Sequence, residues 1–218
     1  MKREAAFESN NLGEHAIVVG GGVGGLSAAR ALSGRFRQVV ILDRDDLPNG
    51  AKPRPGVPQG KHPHGLLGGG LNALEQLFPD FGNELFRAGA VPIDQGFDTL
   101  YEVPGQDLWP RIKSGRPTYA MSRPLIELTL RRQVERLTNV KVQSGCRVLH
   151  IIGESTTGAA TGICYRTPDG NVETLQSVLI NRCIRKWLVN IGISENLWAE
   201  GTRGDANRRQ YALRQRSV

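Results

Sequence analysis

Apolar positions follow two rhythms along this chain. One is the short unbroken run, seen in Ile17-Val18-Val19 and again in Val39-Val40-Ile41-Leu42; such dense, β-branched stretches are typical of parallel strands covered on both faces. The other is the three-to-four spacing of an amphipathic helix. Leu26, Ala28, Ala29 and Leu32 open one helix directly after the first run, and Leu125, Leu128, Leu130, Val134 and Leu137 mark another. The second starts where Ser122 can cap and Pro124 falls in the first turn. Leu66, Leu67, Leu71, Leu74 and Leu77 predict a helix over 64–78, although Gly68-Gly69-Gly70 weaken it and suggest a neighbour packed close. A short helix is predicted over 81–88, with strands over 91–93, 99–101 and 108–109. The run at 140–142 reads as a parallel strand beside the second run. Three short strands over 147–152, 162–165 and 172–175 follow, the last two joined by the turn Pro168-Asp169-Gly170. A final strand is read over 177–180. Five prolines between Arg44 and Pro63 exclude regular structure there, and polar residues 1–14 read as a loosely held arm. The alternation predicts an α/β fold: a parallel sheet with a small antiparallel three-stranded excursion.

The turn between the first run and its helix carries the chemistry. Gly20, Gly22 and Gly25 stand in G-x-G-x-x-G spacing. The first permits the tight turn, the second lets phosphate approach the backbone, and the third allows helix and strand to pack closely. Asp43 closes the second strand 18 positions beyond Gly25, near the spacing expected of a carboxylate that accepts from ribose hydroxyls. A carboxylate there disfavours a 2′-phosphate, so FAD or NAD is expected over NADP.

Composition narrows the class. The 218 residues are 39% hydrophobic, enough for a core, and hold no apolar run long enough for a membrane span. The N-terminus lacks a signal peptide's apolar centre, so a cytoplasmic location is expected. Cys146, Cys164 and Cys183 form neither a disulfide framework nor a C-x-x-C metal motif, and no metal is expected. Of the net charge of +7, residues 181–218 hold eight basic groups against three acidic ones. That basic tail shows no nucleic-acid-binding module, so no specific nucleic acid is expected.

Over residues 14–180 the assembled pieces resemble the FAD-dependent oxidoreductases of the aromatic-hydroxylase-like superfamily, which spans flavin monooxygenases and geranylgeranyl reductases. The resemblance rests on the glycine loop with Ala29, on Asp43-Arg44, on the segment from Gly56 to Leu67, and on Ser122-Arg123-Pro124-Leu125-Ile126-Glu127. It implies a Rossmann-like FAD-binding domain over 15–180, with FAD held by Gly20, Gly22, Gly25, Asp43 and Arg44. It further implies that Arg123 contacts the cofactor, that the backbone near Val148 meets adenine, and that Lys61, His62 and His64 lie towards the reactive end. No catalytic base is implied, because the flavin carries the redox chemistry.

The chain departs from that family after Ile180, where a glycine-containing segment and a second flavin-contacting Gly-Asp stretch should follow; Gly204-Asp205 is read as a chance match. A truncated, catalytically incomplete relative is therefore expected, acting on a small-molecule substrate if active. Two alternatives stand beside it. One is a non-catalytic nucleotide-binding module whose exposed sheet edge near Ile180 is covered by a protein partner; the other is an NAD-dependent dehydrogenase.

Overall fold

The computed structural model describes residues 12–115, 117–154, 159–177 and 179–182. Residues 1–11 of the predicted arm and residues 183–218 of the predicted basic tail, Cys183 among them, lie outside the described residues, whereas Asn181 and Arg182 of that tail end the last strand. Both apolar runs form parallel strands, β1 (Gly13–Val19) and β2 (Phe36–Leu42), joined by helix α1 (Val23–Ser33). β1 starts at Gly13, which pairs with Phe36, so the sheet takes in two residues read as part of the arm.

Strand alternation decides the layers. Ala16, Val18, Val39 and Ile41 face a core built with Leu26, Ala29, Leu130 and Val134 on the helical side. Ile17, Val19, Val40 and Leu42 face the opposite way, against Cys146, Ile163 and Tyr165. The sheet is thus buried on both faces, which is why its strands are continuously apolar. Its order is β10-β1-β2-β6, with β6 (Val140–Gln143) and β10 (Leu179–Arg182) parallel to their neighbours. The predicted excursion is the antiparallel sheet β7 (Arg147–Gly153), β8 (Ala160–Arg166) and β9 (Val172–Gln176), which covers the second face.

Between β2 and β6 the chain builds a second antiparallel sheet, order β3-β5-β4, from β3 (Pro63–Leu66), β4 (Val91–Asp94) and β5 (Pro117–Ser122). Three expectations are corrected here. The helix predicted over 64–78 is shorter, α2 (Gly68–Leu77), because Pro63 to Leu66 pair with β5 instead. Of the three glycines expected to have a close neighbour, Gly70 has one, the Leu66 side chain 3.1 Å from where a Cβ would stand, whereas the space over Gly68 and Gly69 is open. The strands predicted over 99–101 and 108–109 do not form. Leu100, Leu108 and Trp109 are each more than half exposed, and Tyr101 stacks on Trp109 at 5.7 Å between ring centres. Pro104 and Pro110 interrupt ladder pairing there.

This exposed strap, residues 95–114, is closed at its base by one carboxylate. Asp94 Oδ1 accepts from Gly96 N–H, Ser114 N–H and the Ser114 hydroxyl, and Oδ2 accepts from Gly115 N–H. These bonds, those from Ser114 foremost, hold the carboxyl down to about 2. Helices α3 (Phe81–Arg87) and α4 (Arg123–Glu135) complete the helical layer. Ser122 caps α4 as expected, its Oγ accepting from Leu125 N–H at 3.3 Å. Among the described residues no helix is long and apolar enough to cross a membrane.

Candidate functional site

The glycine turn is bound tightly by its own geometry. Gly20 has φ of 105°, a conformation that side chains disfavour. A Cβ on Gly25 would lie 1.7 Å from the Gly20 carbonyl oxygen, so only glycine lets α1 sit this close to the end of β1. The N-cap Gly22 has extended backbone and no side-chain cap, and the first-turn N–H groups of a helix have no partner within it. Gly20, Gly22 and Gly25 therefore shape a tight cradle between β1 and α1, a geometry suited to an anion.

Asp43 is brought against this cradle. Its Oδ2 accepts from Gly21 N–H at 2.6 Å and its Oδ1 from Asp45 N–H at 2.9 Å. The guanidinium of Arg54 reaches in from the proline-rich loop: Nη1 lies 3.1 Å from each Asp43 oxygen and 2.8 Å from Asp45 Oδ2, while Nε donates to Glu127 Oε2 at 3.2 Å. Asp45 Oδ2 also accepts from Gly56 N–H at 2.7 Å, which ties the loop down. Only 8% of the Arg54 side chain is exposed. Burial works against its charge, but Asp43 and Glu127, with the hydrogen bonds to Asp45 and Glu127, outweigh burial and raise its pKa.

Arg123 joins the same network, its Nε donating to Glu127 Oε1 at 3.1 Å, one helical turn on. Arg131 donates to the Pro48 carbonyl and so pins the far side of the loop. Its side chain is buried, which lowers its pKa, with Glu135 opposing the shift. A cavity of about 20 Å³ remains, lined by Gly21, Leu47, Lys52, Arg54, Glu127 and Arg131; it has room for about one water.

The remaining predicted residues sit around this centre. Arg44 follows Asp43 but turns outward, its side chain 62% exposed and 3.8 Å from Asp45. Val148 belongs to β7, whose approach is hung on the end of β2: Cys146 N–H donates to the Asp43 carbonyl at 2.8 Å and Gly145 N–H to that of Asp45 at 3.0 Å. Its side chain packs into the core beneath the excursion. His62 and His64 flank Pro63, which pairs with Ser122 beside Arg123. His64 Nδ1 lies 3.1 Å from the His62 carbonyl. Lys61 and His62 are exposed, and His64 is half-buried.

Sequence reading missed Arg54, Asp45 and Glu127. Glu127 carried a signal, being a carboxylate on a largely buried helix four positions after Arg123. Arg54 carried none beyond its charge in a loop of prolines, because its partners come from β2 and α4, 11 and 73 positions away.

Residues 15–109 match the family model described as FAD dependent oxidoreductase. A curated relative, Protein Rv3254 of Mycobacterium tuberculosis, is 34% identical over 132 residues, 59% of this chain and 28% of the relative. Among solved structures, the myxobacterial FAD-dependent chondrochloren halogenase CndH superposes with a TM-score of 0.58 at 21% identity, covering 80% of this chain and 38% of its own. The p-nitrophenol 4-monooxygenase PnpA of Pseudomonas putida gives 0.55 at 18% identity, with 78% and 40% covered. The chain thus spans less than half the length of each of these proteins. At these identities the structural likeness speaks for the fold alone, a Rossmann-like α/β fold.

Proposed function

We propose that this chain, whose residues 15–109 match the FAD dependent oxidoreductase family model, is the cofactor-holding part of a flavin monooxygenase or reductase. The pyrophosphate of FAD would lie over Gly20, Gly22 and Gly25, with the adenosine ribose at Asp43. The observation that carries this is the contact between Asp43 and the cradle: the carboxylate that would read ribose is bonded to the N–H of Gly21, inside the loop that would hold phosphate. The residues fit the group, since Lys52, Arg54 and Arg131 surround the small cavity beside that loop with cations. Bound FAD supplies the redox chemistry; the chain's own residues hold, orient and neutralise.

In this reading Arg123 stands at the start of α4, held by Glu127 to face the cofactor. Arg44 flanks the ribose from the solvent side, and the backbone at Val148 borders the adenine. Lys61, His62 and His64 mark the approach to the flavin ring. A cytoplasmic setting suits the free, buried Cys146 and Cys164. Substrate contacts are assigned to parts that the longer relatives possess beyond the length matched here. The exposed strap at 95–114 supports a second reading, a module that docks onto further polypeptide.

The test is the visible spectrum of the purified chain after excess FAD is added and the free cofactor removed by gel filtration. Retained flavin bands, lost on Gly22→Leu, are expected. A chain that folds but keeps no flavin sinks the reading, and co-purification of a polypeptide over the strap would then favour the docking module.

A further inference from the structure

We propose that Arg54 and an incoming dinucleotide exchange places on Asp43, so that this site recognises ribose only when a diphosphate arrives with it. The inference rests on the FAD reading above and adds to it a condition for binding.

The starting point is a count of lone pairs. A carboxylate offers about four acceptor positions. Asp43 takes three donors already: Gly21 N–H, Asp45 N–H, and Arg54 Nη1, which straddles the carboxylate at 3.1 Å from each oxygen. While Arg54 straddles it, a ribose hydroxyl has to compete with the guanidinium for either oxygen. Gly21 N–H cannot withdraw, since its loop is fixed by the contact of Gly25 with Gly20, and Asp45 N–H lies two residues along the same backbone. Arg54 is the one donor that can leave, because its side chain has rotatable bonds.

Its geometry suits a partial departure. Nη1 has two hydrogens and three oxygens around it, and the bond to Asp45, at 2.8 Å, is shorter than those to Asp43. Arg54 can keep Asp45 and Glu127 while it gives up Asp43. Its other terminal nitrogen, Nη2, lies 3.7 Å from where a Cβ on Gly22 would stand, over the glycine at which phosphate meets the backbone. A diphosphate on that loop would draw the guanidinium the short distance from Asp43 towards itself. A nucleoside without phosphate would have to displace the cation and offer it no anion in exchange for Asp43.

The test uses calorimetry on the full chain with adenosine, ADP, FAD and inorganic pyrophosphate as probes. The wild type should bind ADP at least about 100-fold more tightly than adenosine, the upper range of coupling between two sites. Arg54→Gln should invert the two responses. Adenosine affinity should rise about threefold or more as Asp43 is freed, while ADP affinity should fall about tenfold or more with the loss of a charged phosphate contact. Adenosine affinity that stays undetectable, is unchanged or falls together with ADP overturns the exchange and makes Arg54 only a structural strut. Should Arg54→Gln not fold, Asp43→Asn carries the test: freeing Arg54 should strengthen pyrophosphate binding about threefold, and unchanged or weaker binding overturns it. A wild type that binds none of the four probes removes the FAD reading and the exchange together, whereas intact FAD binding with equal losses in the variant removes the exchange alone.

Discussion

The charged centre around Asp43 and the strap over 95–114 are both made of loop, yet they are held in opposite ways. At the centre, side chains from β2, the proline-rich loop and α4 converge, and Arg54, Asp43, Asp45 and Glu127 are almost fully withdrawn from water. The strap keeps its aromatic residues outside and is fastened at its base by the carboxylate of Asp94, which is only half-buried. A loop becomes as firm as a core when its polar groups are buried and mutually satisfied, and stays peripheral when they are left in solvent. The two regions should therefore fail differently.

The largest effect is expected at the cradle. Gly25→Val drives a side chain into the Gly20 carbonyl and should cost about 4 kcal/mol or more, seen as loss of a cooperative urea transition together with flavin retention. Arg54→Ala comes next. It leaves Asp43 and Asp45 without their shared buried cation and Glu127 with Arg123 alone, at a cost of about 3–5 kcal/mol, read from the urea midpoint at pH 7. A loss below about 1 kcal/mol would show that water reaches the centre readily, and the contrast with the strap would lapse.

Smaller changes sharpen the contrast. Tyr165, in the core beneath the excursion, donates to Glu173 at 2.7 Å, and burial followed by that carboxylate pushes its phenol up to about 12. The raised value means that its contribution is complete below the ordinary tyrosine value near 10 and drains away as pH rises to about 12. Tyr165→Phe should lose about 1 kcal/mol at pH 7 and show a flatter loss of stability between those pH values. Asp94→Asn should move the melting temperature least, by less than about 2 °C, yet open the strap to protease at sites within 95–114. Because the Asp94 carboxyl is depressed, its grip is whole above the ordinary value of 3.8 and is lost as pH falls towards about 2. Hydrogen exchange in the strap should accelerate over that window in the wild type and be fast throughout in the variant. If Asp94→Asn instead lowers stability as much as Arg54→Ala, the strap belongs to the same cooperative unit as the centre.

The same division runs through what the sequence discloses. The parallel strands, the helix after the glycines, the Ser122 cap and the antiparallel excursion were legible because each depends on spacing within a few residues or on burial of a continuous apolar run. So was the meeting of Gly20, Gly22 and Gly25 with Asp43, which follows from their spacing along one β-α-β unit. The strap misled because Leu100, Tyr101, Leu108 and Trp109 have the residue types of strands but no partner strand, a fact settled only in three dimensions. β5 escaped notice for the converse reason: Thr-Tyr-Ala-Met makes a weak local pattern, and two flanking strands make it a sheet. Arg54 shows the limit most clearly. Its charge is visible in the sequence, but its meaning comes from carboxylates that are distant along the chain.

Glycine has two unlike fates here, and the second offers material for engineering. At Gly25 no other residue is admissible, whereas the space over Gly68 and Gly69 at the start of α2 is empty. Both lie in helical backbone without positive φ, so each gives up unfolded-chain freedom on folding and gains no close packing for it. Alanine at either position restricts the unfolded chain and fits the folded one, worth about 0.5 kcal/mol apiece. The protein thus carries, beside its most intolerant turn, an unused reserve of thermal tolerance that could offset the cost of variants made at the charged centre.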